Sequence, residues 1–402
     1  VVSTAGRISP WRAFRTDPAE WFAADEIERA RRYVKPVNRA NLLRSAVTTA
    51  ALLCVIGFGV PGHVIRALGA GPWPVRIVVV AAVAVIIETV IGAPFGAWRQ
   101  LAYDRRWELS NQTPRQFVAD QVKSIVLETA LLSALGVAIW AVVRATSLWW
   151  VYAWIIFAGF SAVLGLLYPV AIAPIFNKFT PLDDADLRSE LLAIAATVDA
   201  DVDDVLVEDT SRRDRRTNAY VAGLGRTRRM VLCDTIVADP VPQLRCVTAH
   251  ELGHWKLRHL TKALPFSVVV SLATFAVVGA VLPLHAVLRF SHARDLSDPV
   301  MFVPFLVAFG AGLSASGLAT SWLSRSFERQ ADLFALETTG DVPAFLEAMR
   351  RLYTANLADL TPPWWVRVRA SHPLGAERLA MATAWGDRRG DSDKRPAVSV
   401  VP

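Results

Sequence analysis

The stretch Thr248-Ala249-His250-Glu251-Leu252-Gly253-His254-Trp255 carries the pattern His-Glu-x-x-His. On a helix, residues four apart share a face, so both imidazoles reach one metal ion. Glu251 follows the first ligand and is placed as general base for a water activated there. The frame from Gln243 to Leu257 has no internal proline, which predicts one unbroken helix. Two histidines leave a tetrahedral zinc one protein ligand short, with the fourth position for water. Glu328, in Ser326-Phe327-Glu328-Arg329-Gln330-Ala331-Asp332, offers that ligand. Asp332 lies four residues on, where it can receive the free N–H of a ligating histidine. The competing reading of Asp332 is a surface charge beside Arg325 or Arg329. The pattern implies one zinc ion (Zn2+) per chain and metal-assisted hydrolysis, with a peptide or protein as substrate.

The chain has 402 residues, is 53% apolar with 14 Trp, and has a mean hydropathy of +0.34. That is too apolar for an ordinary soluble enzyme of this length. Yet 20% of residues are charged and the net charge is +7, so charge is segregated from apolar runs. This is the composition of a polytopic membrane protein with polar domains, and the lipid bilayer is its first partner. Topology accounts for the basic residues, and no nucleic-acid partner is expected. Three cysteines, Cys54, Cys233 and Cys246, have no metal-type spacing and imply no disulfide framework. Arg outnumbers Lys 37 to 6, which points to GC-rich, bacterial coding.

Six apolar runs have the roughly 20 residues a span requires, at 45–65, 77–97, 124–143, 149–173, 264–288 and 300–323. All 43 Lys and Arg fall outside them. Six basic residues in 29–44 and five in 98–123 outweigh the two, one and two of loops 66–76, 144–148 and 289–299. The positive-inside rule then puts both termini, loop 98–123 and the metal motif in the cytoplasm. The expected location is the bacterial inner membrane. Glu88 and Glu128 sit inside the second and third runs, either lining a hydrated cavity or as protonated or helix-end glutamates.

The organisation read from these runs has six parts. Residues 1–44 form a polar cytoplasmic segment without the apolar core of a secretory leader. Residues 45–173 hold four spans, and 174–262 hold the polar segment with the metal motif. Two spans fill 263–323, 324–385 completes the polar domain, and 386–402 is an unstructured tail. Within 174–262, Asp183 to Val198 predicts a helix, and Val205-Leu206-Val207 a strand. Residues 218–223 and 229–233 predict a hairpin across Gly225. The Arg-rich turn Arg212-Arg213-Asp214-Arg215-Arg216 reads as solvated or near anionic headgroups. A hairpin before the metal helix offers a strand edge to an extended peptide. The fold class is all-α and polytopic, with about six transmembrane helices and a cytoplasmic α+β zincin-like domain.

These residues together resemble the type I CAAX prenyl endopeptidases, integral-membrane zinc metalloproteases of the gluzincin type. The resemblance runs through Tyr103 to Lys123, Tyr168-Pro169, Pro174 to Leu182, Asn218-Ala219-Tyr220, Val231 to Thr235, Glu328-x-x-x-Asp332 and His372-Pro373 followed by Arg378. It implies His250, His254 and Glu328 as metal ligands and Glu251 as catalytic base. Asn218, Ala219 and Tyr220 would form the substrate-binding strand. His372 and Arg378 would stabilise developing negative charge or orient substrate. It also implies a ring of membrane helices around a hydrated chamber, and seven spans in eukaryotic members against the six here. In a cell without prenylation, the substrates would be misfolded or peripheral membrane proteins. A quality-control protease of the HtpX branch is a second enzyme reading. A zinc-domain signal transducer is the rival from another class, and a transporter using Glu88 and Glu128 a third.

Overall fold

The computed structural model describes residues 8–11, 13–223 and 228–390. The first half consists of α1 (Ala24–Gly57), α2 (Val60–Ala67), α3 (Trp73–Ala97), α4 (Asp104–Arg106), α5 (Pro114–Ala145), α6 (Trp149–Leu167) and α7 (Ala173–Phe176). Two π-helical stretches, Trp98–Tyr103 and Tyr168–Ile172, join α3 to α4 and α6 to α7. Then come α8 (Ala185–Thr197), α9 (Val241–Lys256), α10 (His259–Val281), α11 (His285–Phe290), α12 (Phe302–Thr339), α13 (Val342–Ala355), α14 (Trp364–Arg367) and α15 (Gly375–Arg388). Strands β1 (Phe179–Pro181), β2 (Asp204–Glu208), β3 (Ala219–Ala222) and β4 (Arg229–Cys233) lie between α7 and α9. Local chemistry sets several starts. Thr113 and Gln116 form a capping box at α5, and the Asp184 side chain accepts from the Leu187 N–H at α8.

Among the described residues, six helical segments are long and apolar enough to cross a membrane. They are Ala24–Gly57, Trp73–Arg106, Pro114–Ala145, Trp149–Phe176, His259–Val281 and Pro299–Thr339. Their ends differ from the apolar runs for local reasons. The polar lead-in expected to end at 44 is continuous with the first span in α1. The run expected to reach 65 instead breaks at Gly59, whose φ of +61° suits glycine. The fifth span stops at Val281 rather than 288, because Pro283 disfavours helix at Leu282 before it. At the other end of the chain, α15 runs to Arg388, so the stretch from Gly386 begins as helix. Residues 391–402 of the expected tail lie outside those described.

Buried apolar residues form two main clusters. One joins Ile77, Trp140, Ala153, Phe275 and Phe302 at the ends of the spans remote from the sheet. The other joins Leu191, Leu232, Leu252, Leu336 and Phe345 in the polar domain. The sheet order is β1-β2-β4-β3, with β2 parallel to β4 and the outer strands antiparallel to their neighbours. Ala219 pairs with Leu232 and Ala222 with Arg229. The expected turn at Gly225 lies outside the described residues.

The Arg-rich turn is not the solvated loop its charge suggested. Arg213 makes a bidentate pair with Asp120 of α5 at 2.7 and 2.9 Å and also donates to the carbonyl of Phe176. Arg216 pairs with buried Asp104 at 3.0 Å, and Tyr33 donates to the same carboxylate at 2.8 Å. The turn therefore clamps the sheet domain to α1, α4 and α5. Arg350 holds both oxygens of Glu26 at 2.8 Å, bringing the start of α1 to the same domain. In the spans, Glu88 has a partner: Arg44 lies 3.8 Å away.

Candidate metal centre

Helices α9 and α12 pack side by side, and the glycine of His-Glu-Leu-Gly-His makes that possible. A Cβ on Gly253 would stand 3.0 Å from the Phe334 ring. Across this contact His250 and His254 of α9 face Glu328 of α12. The two Nε2 atoms are 3.2 Å apart, and each lies 3.4 Å from an oxygen of Glu328. Ligand bonds of about 2.0–2.1 Å at tetrahedral angles put donor atoms about 3.3–3.4 Å apart, the spacing seen here, with each histidine facing a different oxygen of Glu328. One Glu328 oxygen is buried without a hydrogen-bond partner, which suits a donor aimed at a cation. Among the described residues this is the one cluster of three such donors.

The surroundings hold these ligands in place. Asp332, 0% exposed, lies 2.9 Å from His250 Nδ1, which settles it as a buried partner rather than a surface charge. Arg378 binds both oxygens of Asp332, through Nε at 2.8 Å and through Nη2. Alongside, Arg329 pairs with buried Glu377 at 2.7 Å, so two buried ion pairs tie α12 to α15. Arg325 donates to the carbonyls of Val368 and Ala370 and carries the loop leading to His372. The His372 Nε2 stands 3.5 Å from Glu328, with its side chain 59% exposed on the open side.

Burial alone would depress His250, but hydrogen bonds to Asp332 and Glu328 outweigh it and push the imidazole up to about 10. Burial, reinforced by charge on His250, holds His254 down at about 3. Burial pushes the Glu251 carboxyl up to about 7.

The expected site residues fall into two groups. His250, Glu251, His254, Glu328, Asp332, His372 and Arg378 converge. Arg378, expected to stabilise developing charge or orient substrate, is 5% exposed and bonded to Asp332. Asn218, Ala219 and Tyr220 lie on or beside β3, the edge strand that packs against α9. Asn218 is exposed, and its carbonyl accepts from the Cys233 N–H. Tyr220 is turned into the sheet, its hydroxyl donating to Glu208 at 3.0 Å.

Sequence reasoning missed three residues. Tyr353 donates to the Pro373 carbonyl at 2.6 Å and fixes the turn after His372; burial pushes its hydroxyl up to about 12. Asn356 brackets Thr217, accepting from its N–H at 2.9 Å and donating to its carbonyl at 3.1 Å, and so aligns the start of β3. His259 lies with Nδ1 3.1 Å from Nδ1 of His254. For His259 a signal existed: a third histidine five residues past the motif.

Two histidines and a glutamate gathered beside a strand edge, with a basic carboxylate next to them, make a metallopeptidase, here built into a membrane protein. Comparison with known proteins narrows the class. Residues 181–386 match the model of Peptidase family M48, and residues 16–178 match the CAAX prenyl protease N-terminal model, described as five membrane helices. The chain belongs to peptidase family M48, and it is a metalloprotease. Among the described residues, the 16–178 region has four helices long enough to span, with α2 too short. A CAAX prenyl protease 1 homolog of Arabidopsis thaliana is 29% identical over 379 residues, 88% of this chain and 87% of that protein. An uncharacterized metalloprotease, YhfN, of Bacillus subtilis is 29% identical over 302 residues, 74% of this chain and 71% of that one. The crystal structure of S. mikatae Ste24p shares the fold, with a TM-score of 0.74 at 22% identity, covering 90% of this chain and 89% of that one.

Proposed function

We propose that this protein is a zinc endopeptidase, one ion per chain, cleaving membrane-associated proteins at the cytoplasmic face of a bacterial inner membrane. The observation that carries the reading is the convergence of His250 and His254, their Nε2 atoms 3.2 Å apart, on the two oxygens of Glu328 at 3.4 Å each, with Asp332 behind His250. When bound, zinc supplies Lewis acidity to the scissile carbonyl and to the attacking water. Glu251 takes the proton from that water and passes it to the leaving amine. His372, on the open side, donates toward the developing oxyanion. Arg378 works through Asp332, keeping its carboxylate ionised and aimed at His250. Asn218 and the free edge of β3 hold the substrate backbone by main-chain hydrogen bonds.

The spans supply the approach. Arg44, Glu88 and Glu128 lie about 20–25 Å from the far ends of α1, α3 and α5, at 1.5 Å rise per residue. Charges at that depth face water or a partner rather than lipid. Glu128 interacts with both Glu88 and Arg44, so the three helices share a polar face. We read it as the wall of a hydrated space leading to the metal. Relatives named as CAAX prenyl proteases make C-terminal segments of lipid-modified proteins the first substrates to test. The test is cleavage of farnesylated and unmodified membrane-protein peptides by parent and Glu251→Gln protein side by side. We expect the variant to keep its zinc and lose activity about 100- to 10,000-fold. Equal cleavage by the two would overturn the mechanism.

A further inference from the structure

One group beside the metal centre has no part in the reading so far. His259 is 3% exposed, and its ring stacks on Phe327, the neighbour of ligand Glu328, at 4.4 Å and 7°. Its Nδ1 lies 3.1 Å from the Nδ1 of His254. His254 points its other nitrogen, Nε2, at His250 and Glu328. The backbone is bent to make this contact. Arg258, a non-glycine residue, adopts φ +54° between α9 and α10, folding His259 back under the helix that carries His254.

We infer that His259 is the positioning residue for His254, serving it as Asp332 serves His250. The tautomers follow from the geometry. A nitrogen that binds metal carries no proton, so with Nε2 given to the ion, His254 must carry its proton on Nδ1. That proton is donated to Nδ1 of His259, which must then be bare, with the His259 proton on Nε2. The ring of His254 is thereby held at the rotation that aims its Nε2 lone pair. Ligating imidazoles are regularly oriented through their second nitrogen, usually by a carboxylate or a carbonyl. A neutral imidazole in that role adds no charge to a buried centre that already gathers the carboxylates of Glu251, Glu328 and Asp332 beside the cationic Arg378.

The inference rests on the reading of His250, His254 and Glu328 as a zinc site, and its test separates the two. Zinc affinity is measured on full-length, detergent-solubilised protein by competition with a chromogenic chelator, for parent, His259→Asn, His259→Gln and His259→Phe. The side-chain oxygen of Asn stands where Nδ1 stood, whereas that of Gln stands nearer Nε2. We expect Asn to bind zinc within about threefold of parent. Gln and Phe should bind about 10- to 100-fold more weakly, the usual cost of losing an outer partner. Denaturation midpoints of the chelated proteins should not separate Asn from Gln, as they would if His259 served packing alone. Gln binding as tightly as Asn, or all variants matching parent, overturns the inference and leaves the zinc site standing. A parent that binds no zinc overturns the site itself. If Phe fails to fold, the comparison of Asn with Gln still decides.

Discussion

Arg378→Met is the substitution whose consequence the geometry defines most closely. It replaces a guanidinium that is 5% exposed and leaves Asp332, 0% exposed, with His250 at 2.9 Å as its remaining close partner. Removing one member of a buried ion pair costs about 3–5 kcal/mol, because the other charge is left desolvated. Replacing both members by apolar groups is often neutral, because the desolvation penalty goes with the charges. We therefore expect Arg378→Met to destabilise the chelated protein by about 3–5 kcal/mol. The double variant Asp332→Leu, Arg378→Met should recover most of that loss. Metal binding should not recover with it, because His250 loses its acceptor and zinc affinity falls about 10- to 100-fold. Chemical denaturation midpoints in detergent, with zinc competition on the same samples, measure both quantities. A single variant within about 1 kcal/mol of parent would refute the argument, since exposed pairs are worth about that or less. A double variant no more stable than the single would do the same. A variant of unchanged stability with a reduced kcat would return Arg378 to direct work on the substrate.

Other expectations follow from the same packing. Gly253→Ala drives a Cβ to within 3.0 Å of the Phe334 ring, so α9 and α12 must separate. Overpacking of this kind costs about 1–3 kcal/mol, and zinc affinity should fall with it; unchanged affinity would show that the helices yield elsewhere. Burial pushes the thiols of Cys233 and Cys246 up to about 11. Both should resist maleimide at pH 8 in the native protein and react on unfolding. Their folded values lie above the unfolded value of about 8.5, so their contribution to stability is complete below that pH. It is lost as pH rises from there toward 11, which denaturation midpoints across pH 7 to 11 would reveal.

Much of the site could be read along the chain because its parts are local. His250, Glu251 and His254 fall within five residues of one helix, and Glu328 and Asp332 one turn apart, so helical periodicity alone aligns each set. Charge told less. The Arg-rich turn looked solvated, yet Arg213 and Arg216 are spent on Asp120 and Asp104, about 90 and 110 positions earlier in the chain. Nothing in the spacing announces those pairs. Arg378 has the same history: a cation near the active-site histidine invites an electrostatic role, whereas the fold commits it to a carboxylate on another helix.

Two determinations can be kept apart. The order of residues by itself determined six membrane-crossing segments and the helical faces that carry the metal donors, because hydrophobic length and a 3.6-residue period are properties of short windows. Tertiary structure decided which side chains complete the centre. The closeness of α9 and α12 at Gly253, the burial of Asp332 and Arg378 as a pair, and the turn at Arg258 that lays His259 against His254 are all contacts between separate elements. Their energy exists only when water is excluded from both partners at once, and no single window of sequence contains both.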